Sequence, residues 1–171
     1  MTSRTNLTAI PDVLKSFPNW VNWVLEEKDG KGTKLPIIPG TNQYASSTDP
    51  ATWTDFETAV KYCSAVNCKS GIGFVIGGKA IEAELVGFDL DGCRNPATGD
   101  ISPWAEEIIS LLDSYTEFTP SGFGVRVWVK GKLPGKDRVF NLDPGAGFGE
   151  KVKIEVFDHA RYFTVTGDTF L

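Results

Sequence analysis

The sequence predicts an α+β fold in which strands outnumber helices and form a mixed or antiparallel central sheet. Short β-branched and aromatic runs with a period of two recur along the chain, whereas only a few segments show helical spacing. Their order is not the regular strand–helix alternation of a parallel sheet. A chain of 171 residues is long enough for one domain with a substantial core and short for two. We therefore expect a single domain over residues 1–171, with helices flanking the sheet.

The first third of the chain predicts a strand between two helices. Residues 10–17 predict a short helix with Pro11 near its start, and the aromatic and β-branched residues 19–27 predict a strand. Residues 29–50 are polar, contain three prolines and predict a hairpin or an extended loop; loops of this length are often functional. Residues 48–63 predict a helix that Asp49 caps and in which Pro50 takes the first position.

The remaining elements follow from similar signals. Residues 71–78 and 85–91 predict two adjacent strands, and residues 102–115 predict a helix that begins at Ser102 and Pro103. A strand is predicted over 124–131. The last segment, 152–167, contains two runs of period two around a tight turn, which is typical of a hairpin.

Charge and hydropathy limit the classes of function. The net charge of −5 argues against a surface that binds nucleic acid everywhere, because phosphate affinity comes mainly from Lys and Arg. It is compatible with a local basic groove, and it fits a site that collects cations by clustering carboxylates. The sequence has no apolar run of about 18 residues, and its first residues lack the apolar centre of a signal peptide. We expect a cytoplasmic protein that makes no membrane contact.

Two aspartates stand at the end of the predicted strand 85–91. Asp89 and Asp91 are two residues apart, so on a strand both face the same side while Leu90 faces the other. Two carboxylates held together repel each other unless a cation lies between them, and Mg²⁺ or Mn²⁺ prefers such oxygen ligands. The alternative is an ordinary Asp-Gly turn at the end of a strand. These residues alone do not decide between the two.

A loop of small residues precedes the predicted strand 124–131. Ser121, Gly122 and Gly124 would bring backbone N–H groups and a hydroxyl close to phosphate oxygens. Arg126 and Lys130 follow on the strand and share one face with Trp128. The alternative, which is favoured when this stretch is taken by itself, is a turn that feeds an edge strand with a solvated basic face.

A third acidic residue lies in the last predicted hairpin. Glu155 stands between Ile154 and Val156, on the face opposite to them, and that face also carries Lys153 and Phe157. A glutamate on a strand usually faces solvent. Only convergence with Asp89 and Asp91 would make it a metal ligand.

Taken in order, these stretches resemble the archaeo-eukaryotic primase superfamily. The chain presents a strand-borne D-L-D, then S-G-x-G followed by a basic residue, then an apolar-Glu-apolar strand leading to R-Y-F-x-x-T-G. It most resembles the primase-polymerase domains at the N-termini of phage and plasmid replication proteins. The segments NWVNWVLE, KLPIIP, YASSTDPATW and GIGFVIGG extend the resemblance over nearly the whole chain.

The resemblance implies a primase-polymerase domain with an RRM-like catalytic core. It implies that Asp89, Asp91 and Glu155 hold two divalent metals, Mg²⁺ or Mn²⁺, for nucleotidyl transfer on a single-stranded DNA template and primer. The residues implied to contact the nucleoside triphosphate are Ser121, Gly122, Gly124, Arg126, Arg161 and Lys34. Family members often have His where this chain has Arg126. The chain would be the N-terminal part of a longer replication protein with a helicase as domain or partner.

Three other hypotheses use the same residues. A degenerate module of this fold would bind nucleotide or DNA without catalysis. In a phosphatase of the haloacid-dehalogenase type Asp89 would be the nucleophile and Asp91 the general acid/base, but Cys93 replaces the usual Thr or Val. Only about 80 residues follow Asp91, and they lack the repeated strand–helix units which that fold needs. A calcium-binding EF-hand loop fails because Cys93 and Arg94 stand where an oxygen ligand and a glycine are required.

Overall fold

The computed structural model of the chain describes residues 5–28, 30–63, 70–136 and 138–170. These residues form four short α-helices and nine strands. The helices are α1 (Asp12–Lys15), α2 (Phe56–Cys63), α3 (Lys79–Glu82) and α4 (Pro103–Leu112). The strands are β1 (Trp20–Lys28), β2 (Lys31–Ile37), β3 (Ser70–Ile76), β4 (Leu85–Asp91), β5 (Thr116–Phe118), β6 (Val125–Lys130), β7 (Val139–Asn141), β8 (Lys153–Phe157) and β9 (Arg161–Val165).

The strands are divided between two antiparallel sheets. One has the order β2-β1-β3-β9 and the other the order β5-β6-β4-β8-β7, and every described strand pair is antiparallel. The predicted α+β class with antiparallel strands is confirmed. Within the ranges that the structure describes, no helix is both long enough and apolar enough to cross a membrane.

Two apolar clusters cover the five-stranded sheet. One lies between the two sheets, and the other lies between the five-stranded sheet and helix α4. Phe74 of β3 and Phe163 of β9 both make edge-to-face contacts with Trp128 of β6, which favours close packing of the sheets. On the opposite face of the five-stranded sheet, a second cluster contains Leu90, Cys93, Ala105, Ile109, Val125 and Val127. The five-stranded sheet is thus covered on both faces.

The helices begin later, or are shorter, than the sequence pattern predicts. Residues 50–52 form a 3₁₀ turn, and it is the amide of Ala51 in this turn that donates to the Asp49 side chain, at 3.0 Å. The α-helix α2 starts at Phe56, after Asp55, whose carboxylate accepts from the amide of Thr58 at 2.8 Å. The helix predicted over 48–63 is therefore wrong in its start, because each aspartate caps a separate turn.

Two predicted strand pairings are also wrong. The strands predicted over 71–78 and 85–91 are not adjacent: β3 and β4 lie in different sheets, with α3 between them along the chain. The predicted hairpin 152–167 is instead a crossing from one sheet to the other, because β8 pairs with β4 and β7 while β9 pairs with β3. Ala160, with φ +50°, lies in the turn that redirects the chain. Pairing with β3 lets β9 insert Phe163 between the sheets.

Strand β6, which carries Arg126 and Lys130, is mostly buried. Arg126 and Trp128 of β6 are 5% and 3% exposed, because the face they share lies against the four-stranded sheet. Only Lys130 of that face is exposed. The prediction of an edge strand with a solvated basic face is therefore wrong.

Candidate active site

The three predicted acids meet on one face of the five-stranded sheet. Asp89 of β4 lies directly opposite Glu155 of β8 in the strand register, and Asp91 follows two residues later on the same face. One carboxylate oxygen from each of the three lies within 4.8 Å of the others. Asp89 and Glu155 are 8% and 6% exposed. Three carboxylates this close together, two of them buried and Asp91 half-buried, are costly unless cations compensate their charge.

Arg126 supplies one of these cations from the other side of Asp89. The β4–β6 register places the two residues opposite each other, and the Arg126 guanidinium donates to Asp89 Oδ2 at 2.9 Å. It also donates to Thr164 Oγ1 at 2.9 Å and to the Thr164 carbonyl, and it stacks on the Phe163 ring. Because Thr164 and Phe163 belong to β9, Arg126 links the acidic cluster to the four-stranded sheet.

Behind Arg126 lies a fourth acid, Glu117 of β5, directly opposite it in the register. Glu117 is buried, and its Oε2 accepts hydrogen bonds from the backbone amides of Thr166 and Gly167 at 3.0 and 2.8 Å. Burial raises the pKa of Glu117, while the charge of Arg126 and these amides act in the opposite direction. Glu117 therefore binds the backbone that follows β9. Glu117 and Asp89 both interact with the positive charge of Arg126.

Two further cations contact the acids from the solvent side. Lys153 Nζ lies 3.3 Å from Asp91 Oδ2 and 2.9 Å from Glu155 Oε2, and Arg161 donates to the same Glu155 oxygen at 3.1 Å. Burial disfavours the charged ammonium of Lys153, but the hydrogen bond to Glu155 and the charge of Asp91 outweigh this and raise its pKa. Burial, followed by the charge of Asp89, raises the pKa of Asp91 above its ordinary value, and Lys153 offsets only part of this.

The donor set fits a divalent metal ion. All three acids offer hard oxygen ligands, and Asp89 Oδ1 is buried without a hydrogen-bond partner among the described residues. A buried carboxylate oxygen without a partner is unfavourable and is usually satisfied by a ligand or water. The cluster can therefore bind a divalent metal through Asp89, Asp91 and Glu155.

Asp89 and Asp91 line a polar cavity of about 170 Å³ between the sheets. Its lining includes most of the residues that the sequence predicts to contact nucleotide. Among the described residues the lining consists of Lys34, Asp89, Asp91, Thr119, Pro120, Ser121, Arg126, Arg161, Tyr162, Phe163 and Thr164. Burial, followed by the charge of Arg126, lowers the pKa of Lys34, and the two aspartates act against this. One cavity thus brings carboxylates, basic groups and hydroxyls together.

The small-residue loop contributes one side chain and two backbone positions. Ser121 lines the cavity, and its hydroxyl lies 3.1 Å from that of Thr119. Gly122 has φ +78° and accepts from Arg94 at 3.0 Å through its carbonyl, so glycine suits this turn. A Cβ at Gly124 would lie 2.9 Å from the Leu90 carbonyl. These glycines set the path of the loop beside β4.

Three polar residues of the site have no assigned role in the sequence pattern. The period of two places Lys153 on the same face as Glu155, but its contact with Asp91 depends on the β4–β8 register. Glu117 lies in a three-residue strand with no motif. The Tyr162 hydroxyl is buried beside the cavity without a partner among the described residues, and burial raises its pKa. The one available signal was the period-two position of Lys153 relative to Glu155.

Comparison with known proteins gives one informative match. No protein-family model matches the chain. Over 161 residues the chain is 32% identical to a DNA primase-polymerase of Nitratiruptor phage NrS-1, and the match covers 92% of this chain. The chain spans 20% of the length of that relative.

Proposed function

Since nearly the whole chain matches part of a phage-type primase-polymerase, we propose that it is a primase-polymerase domain that catalyses template-directed nucleotidyl transfer. The observation that carries the proposal is the Asp89–Asp91–Glu155 cluster, two of whose acids, Asp89 and Asp91, line one cavity together with Ser121 and basic side chains. The substrates would be a single-stranded DNA template with its primer and nucleoside triphosphates. The domain would span residues 1–171 of a longer replication protein that works with a helicase.

In this proposal the three acids hold two divalent ions, Mg²⁺ or Mn²⁺. Such ions activate an attacking 3′-hydroxyl and neutralise the charge of a leaving pyrophosphate. The chain's own residues then bind and orient the triphosphate. Ser121 would donate a hydrogen bond from its hydroxyl to a phosphate oxygen, and Lys34 and Arg161, on the two edge strands of the four-stranded sheet, would neutralise phosphate charge. The loop with Gly122 and Gly124 would keep Ser121 at the cavity.

Arg126 supports a second candidate function, a module that binds nucleotide or DNA without catalysis. Its guanidinium donates to Asp89 and Thr164 and cannot lose a proton at ordinary pH. It therefore cannot replace a histidine as proton donor to pyrophosphate. If that proton is essential, the cavity would bind substrate and leave it unchanged.

The test is synthesis on single-stranded DNA, both by primer extension and de novo, with Mg²⁺ or Mn²⁺ and either nucleotide set. Asp89→Asn and Glu155→Gln should lower the rate roughly 100- to 1000-fold, as expected when a group that stabilises transition-state charge is lost. Glu107→Gln, at an exposed position on α4, is the matched control and should keep full activity.

Two results would count against catalysis by this cluster. Equal synthesis by the wild type and both site variants would mean that the acids are not the reaction centre. No synthesis by a wild type that nevertheless binds Mn²⁺ and nucleotide would favour the binding module. Thermal unfolding of each variant, measured beside the assay, separates lost chemistry from lost folding.

A further inference from the structure

We propose that Lys153 is the resident counter-ion of the acidic cluster, and that a divalent ion binds to Asp91 and Glu155 only by displacing its ammonium group. This inference rests on the proposed function, because it requires that the cluster takes up metal. It adds a regulatory element to the site, since Lys153 would then set the metal concentration at which the cluster becomes occupied.

The strand register places Lys153 between two of the acids. Lys153 stands directly opposite Asp91 in the β4–β8 pairing and two residues before Glu155, on the same face of β8. Its Nζ contacts Asp91 Oδ2 at 3.3 Å and Glu155 Oε2 at 2.9 Å. Asp91 and Glu155 would hold a divalent ion at the place where the ammonium now contacts both of them. Two cations so close together would repel each other, so the ammonium would have to move.

Arg126 and Arg161, the other cations that contact the acids, are held differently from Lys153. Arg126 is buried and fixed by Thr164 and Phe163, so it cannot leave Asp89 without breaking contacts between the sheets. Arg161 contacts Glu155 from a side chain that is 40% exposed. Lys153 contacts two of the acids and has some contact with solvent, with 23% of its side chain exposed. Rotation about the bonds of its four-carbon side chain can carry the ammonium into solvent while the strand stays in place.

Displacement makes metal affinity a competition between two cations. A divalent ion and an ammonium about 6 Å apart in a water-like medium repel by an amount equal to about tenfold in affinity. A neutral side chain of similar length at position 153 removes this repulsion and also the contacts that the metal must break. We expect Lys153→Met to bind Mn²⁺ about tenfold more tightly than the wild type.

The experiment is a Mn²⁺ titration of the whole chain, without nucleotide, followed by the paramagnetic resonance of free Mn²⁺. Lys153→Met should bind about tenfold more tightly. Lys151→Met, which removes the same charge from an exposed position outside β8, should keep the affinity of the wild type. Lys153→Arg should bind equally or less tightly, because a guanidinium pairs with carboxylates through two parallel hydrogen bonds. The rise in unfolding temperature on addition of Mn²⁺ should be largest for Lys153→Met.

The outcomes separate this inference from the proposed function. Mn²⁺ binding by the wild type that Lys153→Met leaves unchanged or weakens would overturn displacement and keep the metal site. An affinity gain of equal size in Lys153→Arg or Lys151→Met would also overturn it, since the effect would then not depend on an ammonium at this place. Failure of both the wild type and Lys153→Met to bind Mn²⁺ would overturn the metal role of the cluster together with the inference.

Discussion

Replacement of Arg126 by methionine is the most informative perturbation, because this side chain serves the acids and joins the sheets. The methionine fills similar space but leaves Asp89 Oδ2 without its 2.9 Å partner and Glu117 without a neighbouring positive charge. Removal of one partner of a buried ion pair typically costs about 3–5 kcal/mol. We expect Arg126→Met to lower the free energy of unfolding by this amount at pH 7 without metal, measured by urea denaturation.

The matched control is Arg161→Met. Arg161 also pairs with an acid of the cluster, at 3.1 Å, but its side chain is 40% exposed, and exposed pairs contribute about 1 kcal/mol or less. A double-mutant cycle of Arg126→Met with Asp89→Asn isolates the pair, and we expect a coupling energy of about 1.5–3 kcal/mol for a charged hydrogen bond. A coupling below about 0.5 kcal/mol, or equal costs for the two arginine variants, would refute the reasoning.

The deficit of Arg126→Met should also depend on pH. Burial raises the pKa of Glu117 and Arg126 opposes this, so loss of Arg126 should raise that pKa further. A carboxyl group whose pKa is higher in the folded than in the unfolded state stabilises the fold at low pH, and this stabilisation disappears as the pH rises through the folded pKa. The stability deficit should be smallest below about pH 4 and grow toward neutral pH. A deficit that grows on acidification would contradict this assignment.

The remaining predictions concern stability without metal. Asp91→Asn should raise the midpoint of thermal unfolding at pH 7 in EDTA, because burial and the charge of Asp89 raise the pKa of Asp91 and disfavour its charged form. This gain should vanish below about pH 4, where the wild-type carboxyl is protonated. A lower midpoint would show that the Lys153 contact dominates. Gly87→Ala should lower the free energy of unfolding by about 1–3 kcal/mol, because its Cβ would lie 2.5 Å from the Phe163 ring. The control is Gly131→Ala, where the space around the Cβ is open. An equal effect of both substitutions would refute the packing argument.

Local patterns in the sequence predict the positions of the three acids well. Asp89 and Asp91 follow from the period of two on an apolar strand, and Glu155 follows from the same period on β8. Their convergence depends on the antiparallel pairing of β4 with β8, which joins residues more than 60 positions apart. From the sequence, only the resemblance to primase-polymerase domains indicates that convergence.

The predictions that fail are those that depend on which strand pairs with which. The runs on either side of residues 158–160 have the alternation of a hairpin, yet β9 pairs with β3 because Phe163 and Val165 then reach the core between the sheets. The burial of Arg126 has the same cause. Nothing near position 126 along the chain shows that Asp89 and Thr164 contact it, because they lie 37 and 38 positions away.

The link that Arg126 makes between the sheets limits how this site could be redesigned. A histidine at position 126 would carry a shorter side chain, and as a neutral ring it would leave Glu117 and Asp89 without their shared positive charge. Glu117 in turn holds the amides of Thr166 and Gly167. A designer who wants a proton donor at this position must therefore change the strand partner on β5 together with it, since Arg126 is the single positive charge in the cross-strand row Glu117–Arg126–Asp89–Glu155.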